Sequence, residues 1–292
     1  MSMFSFELLV NAVVTGILLG GFYATISMGL FLSFGLLDIA NIAHPVFAIL
    51  SGYGVYTLNT RMGMDPILAG FLLAPIFYGF GWILYLGYYH FFEKKGEQSL
   101  RGLVFFFGIL FLIEVSLLLT YGVDYRLVES RYTGQSVHIG ILGIPLRLLF
   151  PFIVGLLITL TLYLFLSRTF LGWIIRGVSQ DSTAVRLMGA NPMAVKSVAF
   201  GLSIAIAGIA GALMIIMNPI EPSSGREFIG RAFAVVVLGG MGSIGGTWIA
   251  AMILGIIESL TSTFYGPAWA LAVSFSILLL VLAIKPSGLF GR

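Results

Sequence analysis

Apolar residues run through this chain in long blocks, and the pattern is one of length rather than period: a bilayer core of about 30 Å asks for roughly 20 apolar residues in a helix. Six blocks meet that length without a serious break, at residues 8–34, 66–92, 103–121, 146–166, 198–217 and 268–284. The last ends at Lys285-Pro286, where a residue with no backbone N–H stops the helix. Two further stretches are interrupted. Residues 38–58 carry polar side chains and Pro45, and residues 232–262 are split by a glycine cluster at 239–246. Each is open to three readings: a full span, a re-entrant pair of half-helices, or a span plus a half-helix. The expected fold is all-α: one transmembrane domain over residues 1–292, a polytopic membrane helix bundle of about 8 membrane segments, including broken or re-entrant helices.

Lysine and arginine orient such a bundle, because basic loops stay on the cytoplasmic side. Lys94, Lys95 and Arg101 mark one inside loop, Arg168, Arg176, Arg186 and Lys196 a second, and Lys285 and Arg292 an inside tail. These positions hold nine of the fifteen basic residues. The expectation that follows has the N-terminus inside too, with each interrupted stretch crossing an even number of times. Small residues at four-residue spacing, Gly16, Gly20 and Ala24, Gly201 and Ala205, and Ala207 and Gly211, suit close helix packing in lipid.

Composition sharpens this picture by exclusion. The chain is 59% hydrophobic and 9% charged, against about 25% charged in an average soluble domain. Its charges are too few to cover a water-soluble surface, so its chief partner is membrane lipid. A net charge of +3 spread singly between apolar runs forms no basic stripe, which excludes nucleic acid. There is no cysteine, hence no disulfide or thiol chemistry. His44, His90 and His138 lie far apart without ligand spacing, so no metal site is expected. The opening MSMFSFELLV lacks the basic start of a cleavable signal, and the first apolar run is expected to remain as a membrane segment.

One polar segment looks built for a partner. Residues 171–196 read LGWIIRGVSQDSTAVRLMGANPMAVK. Ser179 suits an N-cap, Asp181 and Ser182 a first turn, Ala184, Leu187 and Met188 a narrow apolar face, and Gly189 a C′ position. Asn191 and Pro192 then supply an N-cap and a first-turn proline for the next helix. Helix, glycine and restarted helix make a stiff hook. An ordinary interfacial helix lying on lipid headgroups is the alternative reading.

The hook resembles the cytoplasmic coupling loop of permeases in branched-chain amino acid (leucine, isoleucine, valine) ABC importers. The resemblance extends to the segment with Gly20, Gly21, Tyr23 and Ala24, to Asn41, Ala43 and His44, and to LGGMGSIGGTWIAAMILGIIES and the tail KPSGLFGR, in that family's order over nearly the whole chain. Pro45 departs from it, since that family usually has glycine after the histidine, and a local difference of geometry is expected there. The resemblance implies a translocation subunit of the bacterial inner membrane rather than an enzyme. A second related permease, two ATPase subunits carrying the ATP and Mg, and a periplasmic solute-binding protein would complete the importer, with no cofactor bound by this chain. It also implies that the coupling segment 171–196 docks the ATPase through Asp181, Ala184, Leu187, Met188, Gly189 and Pro192. The solute would be a branched-chain or related amino acid, or, in the same family, urea, an amide or a small carboxylic acid.

Other features mark a candidate solute path. Residues 240–245 match GxGxxG, with Glu258 where a ribose-binding acid would fall, yet the flanks are membrane-length apolar segments and not a βαβ unit. A helix broken within the membrane is the better reading, and backbone freed there must face protein or a water-filled cavity, which makes Gly242 and Ser243 candidates. Asn41 and His44 are candidates in the other interrupted stretch, lining the path, capping a half-helix or bonding between helices. Glu114 is an acid inside an apolar span, a functional hypothesis by default. It is also the basis of the alternative function, an ion-coupled secondary carrier.

Overall fold

The computed structural model describes residues 6–95, 100–140, 142–285 and 287–291. Pro286, Arg292 and the first five residues, which entered the sequence reading, lie outside the described residues. Eleven helices are found among the described residues: α1 (Phe6–Leu30), continued by a π-helical turn (Phe31–Leu36), α2 (His44–Met62), α3 (Pro66–Phe91), α4 (Leu100–Tyr121), α5 (Leu146–Arg168), α6 (Phe170–Gln180), α7 (Ser182–Leu187), α8 (Pro192–Met217), α9 (Gly225–Gly239), α10 (Ile244–Tyr265) and α11 (Pro267–Ile284). A short antiparallel hairpin, β1 (Ser136–Ile139) with β2 (Leu142–Pro145), precedes α5. Seven helices are long and apolar enough to cross a membrane: α1, α3, α4, α5, α8, α10 and α11. The chain is a multi-pass helical membrane bundle.

Burial follows from which helices face lipid. α8 is the central post, buried along nearly its whole length from Ser197 to Met217, with α1, α2 and α3 around it. α4, α5 and α11 turn large apolar side chains outward, among them Phe111, Leu157 and Leu279, which suits a hydrocarbon solvent. The small-residue seams pack as anticipated. A Cβ on Gly16 would lie 2.5 Å from Ile256 Cα, and one on Gly20 would lie 2.9 Å from the Ala251 carbonyl oxygen, so α1 and α10 touch backbone to backbone. The same pairing, with residue numbers rising on one helix and falling on the other, makes the two helices antiparallel.

That pairing corrects the expected orientation of the N-terminus. Asn11 Oδ1 accepts a hydrogen bond from Gly143 N at 3.1 Å, which puts the start of α1 at the hairpin end of the bundle, opposite α6 and α7. The stretch 38–58 runs once along the bundle, as α2, rather than folding back as a pair. The second stretch does make a return pair, α9 and α10. The reason for the miss is electrostatic: no lysine or arginine precedes Arg61, so the distribution of positive charge says nothing about the first two crossings. The other basic loops, with Lys94, Arg101, Arg176 and Lys196, lie together at the hook end as expected.

Candidate functional site

A cavity of about 610 Å³ enters the bundle from the hairpin end. Tyr125, Arg147 and Pro267 stand toward its mouth, and Tyr23, Arg231 and Glu258 toward its floor. Its depth exists because α9 has only fifteen residues. Such a helix rises about 22 Å, and the chain leading into it lines the cavity through Met217, Asn218, Ile220, Glu221 and Ser224.

The floor is a four-sided polar network. Glu258, on α10 and 2% exposed, accepts hydrogen bonds from Tyr23 of α1 and Ser274 of α11 and from Arg231 Nε of α9 at 3.0 Å. A buried carboxylate demands such donors, and three other helices supply them. Phe228 lies under the Arg231 guanidinium, 5.2 Å from its ring centroid, and Glu227 Oε2 stands 3.9 Å from Arg231 Nη1. The sequence reading did not single out Arg231 or assign Glu258 a membrane role. The signal was present, since Glu258 is an acid inside an apolar span as much as Glu114 is.

The sequence-derived path residues lie elsewhere. His44 is fully buried between α1 and α8, its Nε2 3.0 Å from the Ile26 carbonyl. A carbonyl only accepts, so Nε2 carries the proton. Asn41 folds back to accept from Ala43 N at 3.1 Å and starts the turn into α2. Glu114 is clasped at two oxygens by Arg226, at 2.9 and 2.8 Å, which joins α4 to the start of α9. Gly242 and Ser243 sit in the α9–α10 turn. Ser243 caps α10 by accepting from Gly246 N at 3.0 Å, and the C-terminal tail folds over this turn, with Leu289 N donating to the Leu238 carbonyl. The glycine cluster therefore ends helices at the bundle's hook end and does not break one at mid-depth, because α10 starts inside the cluster and still runs a full 22 residues. None of these five residues lines the cavity.

At the opposite end the hook is assembled from local caps. Thr169 Oγ1 accepts from Gly172 N and starts α6, which buries Ile175 and Val178 and lies across the end of the bundle. Asp181 both ends α6 and starts α7, accepting from Thr183 N at 2.8 Å and Ala184 N at 3.0 Å. Ser179, expected as this N-cap, is still inside α6 and bonds back to the Arg176 carbonyl. Gly189 has φ +88, and with Ala190 N donating to Val185 O and Gly189 N to Arg186 O it completes a Schellman stop. Asn191 then caps α8 through Met193 N at 3.1 Å, with Pro192 following it. Val185 packs inward, Ala184 is exposed, and Leu187 and Met188 stand 85% and 79% exposed at the apex. Behind them, Lys196 Nζ and Glu93 Oε1 pair at 2.5 Å and Tyr85 donates to Glu93 at 2.8 Å, tying the root of the hook to α3.

A helical membrane bundle with a polar cavity at one end and an exposed apolar hook at the other defines a membrane transport subunit. Residues 12–282 match the family model described as the branched-chain amino acid transport system permease component, and the chain belongs to that family. It is 27% identical to the high-affinity branched-chain amino acid transport system permease protein BraD of Pseudomonas aeruginosa, over 96% of this chain and 94% of that protein. It is 29% identical to LivH of Escherichia coli K12, a permease protein of the same description, over 95% and 94%. A shorter match, 32% identity over 49% of this chain and 34% of its length, is to the permease protein LivM of Escherichia coli K12.

Proposed function

We propose that this chain is one of two related permease subunits of an ABC importer in a bacterial inner membrane. It moves branched-chain or related amino acids inward, driven by ATP hydrolysis on two partner ATPases and supplied by a periplasmic solute-binding protein. The single observation that carries the reading is the tip of the hook. Two adjacent large apolar side chains, Leu187 and Met188, stand almost fully in the open where a six-residue helix ends. That helix is fixed at both ends by Asp181 and by the Gly189 stop, which costs solvation without benefit unless a partner covers the tip. A rigid hook gripped by a moving ATPase can turn nucleotide-driven closure into movement of α8 and, through the Lys196 to Glu93 pair, of α3. The similarity to both LivH and LivM supports pairing with a related permease.

The test is uptake into right-side-out vesicles that contain the whole assembly and are loaded with ATP. Leucine uptake that needs ATP and persists when ion gradients are collapsed is the expected result. Uptake that follows an imposed gradient without ATP would establish the ion-coupled carrier instead, and Met188→Glu with full ATP-coupled uptake would remove the hook from the mechanism.

A further inference from the structure

Resting on the transport reading above, we propose that the cavity is a binding site for the zwitterionic head of an α-amino acid, with Arg231 receiving the carboxylate and Glu227 the ammonium. The floor network is the reason. Glu258 spends its oxygens on Tyr23, Ser274 and the Nε of Arg231, so it anchors the guanidinium by one corner while the Nη groups are left for the cavity that Arg231 lines. An arginine held in this way presents parallel N–H donors at a fixed angle, the geometry that matches a carboxylate. Phe228 supports the guanidinium from one face, so the fork is positioned before any solute arrives. Glu227, one helical turn back toward the mouth, is 65% exposed and its 3.9 Å separation from Nη1 is too long for a hydrogen bond. Its oxygens are open to an incoming ammonium.

Charge argues for a zwitterion over an anion. The lining carries Arg147 and Arg231 against Glu221, Glu227 and Glu258, a count of two positive and three negative groups, so a solute with net negative charge meets more acid than base. The walls around the network include Leu19, Phe22, Met214 and Met217, and the unbranched methionines adapt to side chains of differing shape. The volume lies within the usual range for a small-molecule site, about 300 to 1,000 Å³.

The experiment is equilibrium binding of radiolabelled leucine to the purified membrane complex with its ATPases but without the solute-binding protein, competed by leucine, leucinamide and isovalerate. Leucinamide lacks the carboxylate and isovalerate the ammonium, and each should compete at least about tenfold less well, because a site built to bond a group rejects the analogue without it. Changing Arg231 alone would strand a buried acid, so the informative variant is the double change Arg231→Gln with Glu258→Gln, alongside Glu227→Gln at the exposed acid. Both should still co-purify with the ATPases and lose leucine affinity by at least about tenfold. Equal competition by the three compounds, retained affinity in these variants, or no leucine binding by the unaltered complex would each overturn the site. ATP-driven uptake by the same unaltered complex in vesicles, with the solute-binding protein added back, reports separately on the importer reading.

Discussion

Gly189 shows how one backbone angle sets the hook. At φ +88 an L side chain is strained even where space is free, and a Cβ there would touch nothing within 4 Å. The cost of Gly189→Val is therefore conformational, about 1 to 2 kcal/mol, and falls on the angle between α7 and α8. The expected outcome is an assembled complex whose ATP hydrolysis is no longer matched by uptake, measured as solute moved per ATP. Of the hook's chemistry, Gly189, Asn191 and Pro192 were legible beforehand because caps are decided by the few residues around them. Ser179 was misassigned because an equally good capping residue, Asp181, follows two positions later, and the apolar positions of α6, Ile175 and Val178, carry that helix past Ser179. Nor could the residues alone tell that Val185 turns inward while Leu187 and Met188 turn out.

Between helices, two kinds of contact dominate. The α1–α10 seam is glycine against backbone, so Gly20→Leu has nowhere to place its side chain short of prying the helices apart. Overpacking of this kind costs about 1 to 3 kcal/mol, and the check is a fall in the fraction of folded protein recovered in detergent. The root of the hook depends on charge instead. Glu93 and Lys196 are 10% and 13% exposed, and Glu93→Ala leaves a mostly buried lysine without its partner. Such a loss costs about 3 kcal/mol, whereas replacing both together, Glu93→Leu with Lys196→Met, should recover most of it in a thermal unfolding series. The glycine spacing of α1 announced a close contact. The Glu93 to Lys196 pair spans 103 positions and had no signature in either local stretch.

The bundle's polarity has a direct test, because the natural chain has no cysteine and any introduced thiol is a unique reporter. With the basic loops inside, Asn11→Cys and Val123→Cys should be labelled by an impermeant reagent from the hairpin side, and Gly189→Cys only from the other. Labelling of Asn11→Cys and Gly189→Cys from one side would reverse the fold's assignment of α1. Membrane class, most helix lengths, the basic hook end and the caps around Gly189 and Asn191 could be read from order along the chain, since hydrophobic length, charge and capping chemistry act within a turn or a loop of where they are written. The direction of α1, the single pass of α2 along the bundle, the place of the glycine turn at the bundle's end and the meeting of Tyr23, Arg231, Glu258 and Ser274 were settled only by packing. Those features belong to helices far apart in sequence, and a buried acid finds its donors wherever the folded bundle brings them within a hydrogen bond.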